Sequence, residues 1–187
     1  MGCTKADLRL GERSLLEWVA RALRSVFEEI LIVASVPPLT TPGWARPITD
    51  EPDGLGPLAG LYAGLKVASA ELNFVAACDI PFLRPRLVEG IIALAEGYEA
   101  VIPEGPDGLH PLCGAYSRAC LGAIREALEA GQRRVVSFFP QVRVRIVSAE
   151  ELRGFDPDLM SLLNVNTPAD LKAAARAIGD SNLFPKS

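Results

Sequence analysis

Asn73-Phe74-Val75-Ala76-Ala77-Cys78-Asp79-Ile80-Pro81-Phe82-Leu83 is an apolar run that delivers one carboxylate and then meets a proline. A short continuous apolar run reads as a strand buried on both faces, as the strands of a parallel sheet are. A strand is therefore expected over residues 74–78, with Asp79 emerging just past its carboxyl end. In an open α/β sheet the crevice beyond the carboxyl ends of the strands is where ligands bind. A carboxylate there is positioned to hold a metal ion; the other reading of Asp79 is a turn or helix-cap aspartate ahead of Pro81.

On either side of this run the hydrophobic period switches repeatedly between that of a helix and that of a strand. Leu15, Leu16, Val19, Leu23, Val26 and Phe27 recur at helical spacing, with Ser14 as a cap, and Ile30-Leu31-Ile32-Val33-Ala34 follows as a buried strand. A short strand is expected over 46–49, helices over 58–70 and 84–96, strands over 100–102 and 112–116, and a helix over 117–130 ended by Gly131. Val142-Arg143-Val144-Arg145-Ile146-Val147 largely alternates, as a strand with one wet face does, and Thr167 with Pro168 opens a last helix over 168–178. Strands alternating with helices imply right-handed crossovers and a Rossmann-like α/β fold, a largely parallel three-layer α/β/α sandwich. One domain is expected over residues 1–187, with a frayed tail from 179 to 187.

Composition narrows the function classes. A formal net charge of −4 from 19 basic and 23 acidic residues, with no basic run, argues against a nucleic-acid surface and against an electrostatic membrane anchor. No apolar stretch approaches the ~20 residues of a membrane span, and a cytoplasmic protein is expected. The four cysteines, at positions 3, 78, 113 and 120, form no Cys-x-x-Cys pair, so reduced buried thiols are expected rather than a zinc site or a redox dithiol. The chain has a single histidine, His110, and no Ser/His/Asp or Cys/His pattern of nucleophilic catalysis.

Other motifs accompany Asp79. Asp50-Glu51-Pro52-Asp53-Gly54-Leu55-Gly56-Pro57-Leu58-Ala59-Gly60-Leu61 is a proline- and glycine-rich loop running into an apolar helix. Downstream lie His110-Pro111-Leu112, Gly131-Gln132-Arg133-Arg134-Val135 and Asn164-Val165-Asn166-Thr167-Pro168-Ala169-Asp170-Leu171. In this order the strings resemble the molybdenum cofactor guanylyltransferases, nucleotidyltransferases related to the enzymes of sugar-nucleotide synthesis, from residue 1 to about residue 178.

That resemblance implies transfer of GMP from GTP to molybdopterin cofactor, with release of pyrophosphate and with Mg²⁺ as cofactor. Its partners would be GTP and molybdopterin, with a recipient molybdoenzyme or another protein of the cofactor pathway beyond them. Asp79 is implied as the metal ligand, and Asp79 with Lys5 as the catalytic pair. Gly2, Lys5 and Asp50 are implied to join Asp79 in contacting the nucleotide, and Gly60, Arg134, Asn164 and Asn166 to contact the pterin substrate. A phosphate nucleophile is already anionic, so the reaction needs charge neutralisation and in-line positioning rather than a base.

Bland readings stand beside these. Asp50 also suits a turn cap, Lys5 an exposed terminal lysine, Arg134 with Arg133 a solvated basic pair, and the two asparagines a braced loop ahead of Thr167. His110 suits a structural or substrate-lining role. Val33 stands where relatives often carry a polar residue that touches the nucleotide.

Met1-Gly2-Cys3-Thr4-Lys5 matches only the second half of the family's opening signature; its first strand and Leu-Ala-Gly-Gly turn have no counterpart here. The expectation is a shortened form whose sheet lacks a central strand and whose functional version has roughly 15 to 20 more N-terminal residues. Such a chain would bind GTP poorly. The rival functions are cytidylyl transfer to molybdopterin, transfer to a sugar phosphate, and a non-catalytic cofactor-binding relative without the phosphate loop.

Overall fold

The computed structural model describes residues 5–35, 41–49 and 56–180. A single 3₁₀ turn, Lys5–Asp7, leads into a tight hairpin of β1 (Arg9–Leu10) and β2 (Arg13–Ser14), and then into α1 (Leu15–Arg24). Ser14 caps α1 as its position ahead of the periodic run predicts. Its hydroxyl accepts from the Glu17 amide at 3.2 Å, and Glu17 reaches back to the Ser14 amide at 2.7 Å, the reciprocal capping box. Next come β3 (Leu31–Ala34), β4 (Arg46–Thr49), α2 (Pro57–Val67), β5 (Leu72–Ala76) and α3 (Pro85–Ala93). Pro57 and Pro85 both sit in the first turn of their helices, where a missing N–H costs nothing. The chain continues through β6 (Ala100–Gly105), β7 (Gly108–Leu109), β8 (Cys113–Ser117), α4 (Leu121–Glu129), a 3₁₀ segment Val135–Gln141, β9 (Val144–Val147), α5 (Ala149–Leu152), a 3₁₀ turn Met160–Leu162 and α6 (Pro168–Asp180).

Three layers follow from period-two alternation. On β6, Val101 faces one cluster while Ala100 and Ile102 face the other; on β8, Cys113 and Ala115 take the first side and Tyr116 the second. The first side is covered by α1, α3 and α5 through Val19, Leu87, Val88, Ile91 and Leu152, and the second by α2, α4 and the segment Val135–Gln141 through Leu58, Leu61, Leu65, Ile124 and Phe138. The α/β/α sandwich is therefore as the sequence rhythm predicts.

The strand senses differ from the largely parallel expectation. β3 pairs β4 and β6 pairs β9 in parallel, but β8 lies antiparallel between β5 and β6. The reason is the connection: the chain leaves β6 through a hairpin in which Gly105 pairs with Gly108, and no helix intervenes before β8. A tight hairpin reverses the chain, whereas a parallel neighbour needs a crossover. Among the described residues the strands form two main sheets, β3–β4 and β5–β8–β6 with β9 and β7, and no strand bridges β3 to β5. All five residues of β5 are accordingly only half-buried, although β6 and β8 are almost wholly buried.

Candidate functional site

β5 ends at Ala76, two residues before the boundary read from the apolar run, and Asp79 sits in the turn beyond the strand as expected. That turn is fixed from two sides. The Asp79 carbonyl accepts from the Val165 amide at 2.7 Å, which staples the asparagine loop onto it. Beneath both loops Phe82 and Val165 join Leu10, Leu15 and Ala174 in a small buried cluster that also carries Trp18, Met160 and Leu171. Residues from α1, the Asp79 turn, the asparagine loop and α6 thus share one apolar floor.

On that floor Lys5 Nζ lies 2.6 Å from Asp79 Oδ2 and also donates to Asn166 Oδ1. The Asp79 side chain is 18% exposed and that of Lys5 38%. The other carboxylate oxygen, Asp79 Oδ1, is buried and has no hydrogen-bond partner among the described residues. An orphaned buried acceptor costs about 1 to 3 kcal/mol, more when charged, and such an oxygen suits a hard cation. Mg²⁺ fits this donor set, because it takes one or two carboxylates plus substrate phosphates and keeps several waters. Among the described residues there is no group of three or more His, Cys, Asp or Glu of the kind a closed zinc site requires. The neighbouring Cys78 thiol is pushed up by burial and by the Asp79 charge, which disfavours its thiolate.

Asn166 is held by its own helix. Asp170 accepts from the amides of Asn166 and Thr167 at 2.9 and 2.8 Å, while the Thr167 hydroxyl accepts from the Asp170 amide at 3.1 Å. The Asn166 and Thr167 amides hold the Asp170 carboxyl below its usual range. A second brace joins the two loops. Asp156, wholly buried, pairs with Arg84 and accepts from the Ser161 amide at 2.8 Å; Arg84 also grips Asp158 at 2.6 and 3.0 Å, and its amide donates to the Ser161 hydroxyl at 3.0 Å. Sequence reading missed this network, because Arg84 and Asp156 stand 72 residues apart and each looks like a surface charge.

A cavity of about 200 Å³ opens beside Asp79, lined by Ala77, Ile80, Leu109, His110, Pro111, Leu112, Cys113 and Asn164 as well. His110 is 8% exposed, and its Nε2 meets Asp107 Oδ1 at 2.8 Å. Burial alone would push Asp107 up, but its hydrogen bond with His110 leads the interactions that bring it below the usual carboxylate range. A larger hollow of about 550 Å³, lined by Glu99, Pro140 and Arg143 among others, contains none of the candidate residues.

The structure thus brings Lys5, Asp79 and Asn166 into direct contact and sets Asn164 on the adjoining cavity. Gly60 and Arg134 form a second group: Gly60 lies in the first turns of α2, whose Leu58 amide donates to the Arg133 carbonyl at 3.4 Å, one residue before Arg134 opens the 3₁₀ segment. Gly56, at φ 77° and ψ −170°, makes that approach with a backbone that only glycine adopts readily. Gly2 and Asp50 lie outside the described residues. Val33 packs under α2, its Cγ2 3.3 Å from where a Cβ on Gly64 would stand.

A family model described as a MobA-like NTP transferase domain matches residues 1–145. The molybdenum cofactor guanylyltransferase of Desulfosudis oleivorans is 38% identical over 179 residues, covering 95% of this chain and 88% of that protein. A probable molybdenum cofactor guanylyltransferase of Pelotomaculum thermopropionicum is likewise 38% identical, over 174 residues, covering 93% and 85%. Among solved structures, molybdopterin-guanine dinucleotide biosynthesis protein A from Archaeoglobus fulgidus superposes with a TM-score of 0.81 at 30% identity, over 95% of this chain and 91% of that one. The 2-C-methyl-D-erythritol 4-phosphate cytidylyltransferase of Thermus thermophilus, at TM-score 0.72 and 22% identity over 94% of each chain, shares the fold.

Proposed function

The chain belongs to the MobA-like family of molybdenum cofactor guanylyltransferases, and from that premise we propose that it transfers GMP from GTP to molybdopterin cofactor, releasing pyrophosphate. The observation that carries this reading is the contact of Lys5, Asp79 and Asn166 at the carboxyl end of β5, where an α/β sheet binds ligands. The acceptor phosphate is anionic at neutral pH and attacks the α-phosphorus directly. The residues therefore have to neutralise charge and align two anions, the dominant demands of phosphoryl transfer.

Asp79 would hold Mg²⁺ through Oδ1 together with substrate phosphates, and the ion would draw charge from the triphosphate as pyrophosphate leaves. Lys5 is a mobile point cation whose ammonium turns from Asp79 to the triphosphate when that carboxylate is engaged. Asn166 keeps that ammonium at the site through its amide oxygen, on a backbone whose N–H is tied to the Asp170 cap. Gly2 and Asp50 are assigned to the nucleotide, and Gly60, Arg134 and Asn164 to the pterin, with Arg134 offering a planar fork to its phosphate.

The test is to incubate the purified chain with molybdopterin, Mg²⁺ and GTP labelled on the α-phosphorus, and to follow labelled dinucleotide and pyrophosphate. Labelled dinucleotide from GTP and not from CTP supports the reading. Product from CTP alone would assign the chain to cytidylyl transfer, and no product with either nucleotide would reject a catalytic role.

A further inference from the structure

Two polar atoms bordering the cavity beside Asp79 lack a partner among the described residues. One is Asp79 Oδ1. The other is the second ring nitrogen of His110: Nε2 is bonded to Asp107, and no hydrogen bond engages Nδ1. His110 lines the cavity, and with Nε2 turned to Asp107 the nitrogen left to meet a ligand there is Nδ1. An ionised carboxylate can only accept, so the proton of a neutral imidazole facing Asp107 resides on Nε2 and Nδ1 is left as an acceptor.

The ring is held in that orientation by the fold. The His110 amide donates to the Pro103 carbonyl at 2.9 Å, and the His110 carbonyl accepts from the Cys113 amide at 3.0 Å. The pair sits over Gly105, where an added Cβ would lie 2.9 Å from His110 Nε2 and 3.0 Å from Asp107 Oδ1. A preorganised acceptor on an apolar wall formed by Leu109, Leu112 and Ile80 is the arrangement that reads one donor on a flat ring.

We propose that His110, aligned by Asp107 and seated on Gly105, determines acceptor specificity by accepting at Nδ1 a hydrogen bond from a ring N–H or amino group of the pterin. This rests on the reaction proposed above. It assigns the cavity to the pterin rather than to the nucleotide because Asn164, assigned above to the pterin, lines the same wall; about 200 Å³ is room for one fused ring.

The chain has one histidine, so the two ring-nitrogen resonances of protein labelled with ¹⁵N-histidine belong to His110 without ambiguity. The free protein is expected to show a protonated Nε2 and a bare Nδ1. Adding pterin-6-carboxylate should move the Nδ1 resonance, and adding GTP with Mg²⁺ should not. His110→Phe and Gly105→Ala should each weaken pterin-6-carboxylate about tenfold by calorimetry without changing GTP affinity, the loss of one hydrogen bond. His110→Asn, whose short amide can place an oxygen near the Nδ1 position, should recover part of it.

An Nδ1-protonated ring in the free protein, an Nδ1 resonance unmoved by the pterin or moved by GTP, or wild-type pterin affinity in His110→Phe would overturn the proposal. Guanylyl transfer by the wild type with an unmoved Nδ1 would sink this contact and leave the reaction standing; a moved Nδ1 without transfer would do the reverse.

Discussion

Lys5 and Asp79 neutralise one another at 2.6 Å, and Asn166 shares the lysine. The first prediction is that Asp79→Asn folds normally but loses transfer by several kcal/mol, on the order of 10² to 10³-fold in kcat. Turnover near wild type in that variant, with an unchanged melting curve, would reject the metal role. The contact at Asn166 also reshapes how substrate effects partition. By sequence distance alone Asn166 stands apart from Lys5, 161 positions away, and groups with Arg134 as a pterin contact. Because its amide oxygen holds the Lys5 ammonium, Asn166→Ala is expected to raise KM for both GTP and the pterin. Arg134→Ala should raise KM for the pterin alone, each change being a lost charge-assisted hydrogen bond of about 1.5 to 3 kcal/mol. Steady-state kinetics with each substrate varied in turn separates these, and a GTP KM unaffected by Asn166→Ala would show that Lys5 does not depend on it.

At the scale of elements, local signals were read well and pairings between distant elements were not. Ser14 ahead of α1, Pro85 opening α3 and Thr167 ahead of α6 all behave as their positions predict, since caps depend on residues three or four apart. Val135-Val136-Ser137-Phe138-Phe139-Pro140 has no clean period, and folds as a 3₁₀ segment because Phe138 must fill the core under α2 and α4. The brace of Arg84, Asp156 and Ser161 had no local signature at all. Its removal should be the costliest single change outside the site: Asp156→Ala leaves a partly buried guanidinium and the Ser161 amide short of an acceptor, a loss of about 3 to 5 kcal/mol. For a domain of this size that is roughly 10 °C in Tm, read by calorimetry, and a drop of only a degree or two would mean that Asp158 carries the arginine by itself.

Across the whole molecule, stability should fall on acidification. Hydrogen bonds from Arg84 hold Asp158 below the usual carboxylate range, the Asn166 and Thr167 amides do the same for Asp170, and Arg143 does so for Glu99. A carboxylate whose folded pKa lies below its unfolded one adds stability that is complete above the unfolded value of about 4 and is lost as pH falls through the folded value. Melting temperatures measured from pH 7 to pH 2 should therefore hold nearly level to about pH 5 and then decline; a rise below pH 4 would contradict the ion pairs described. The arrangement of strands predicts unequal protection as well. Amides of β6 and β8, at the buried centre, should exchange more slowly than those of β3, β4 and half-buried β5, as native-state hydrogen exchange would show.

Local pattern in the chain dictates the sandwich and singles out the candidate acid. Alternating periods of two and 3.6 are local properties that dictate which faces must be buried, and one carboxylate after an apolar strand is visible without coordinates. Tertiary structure alone decided the antiparallel course of β8, which turns on a hairpin closed between Gly105 and Gly108. It alone decided the meeting of Lys5 with Asp79 and Asn166, and the pairing of His110 with Asp107 over Gly105. Asp107 reads as one more turn residue in Pro106-Asp107-Gly108 until the fold buries the imidazole beside it. A side chain's chemistry is set by the atoms that surround it, and for these residues most of those atoms come from strands and loops that only the folded chain brings together.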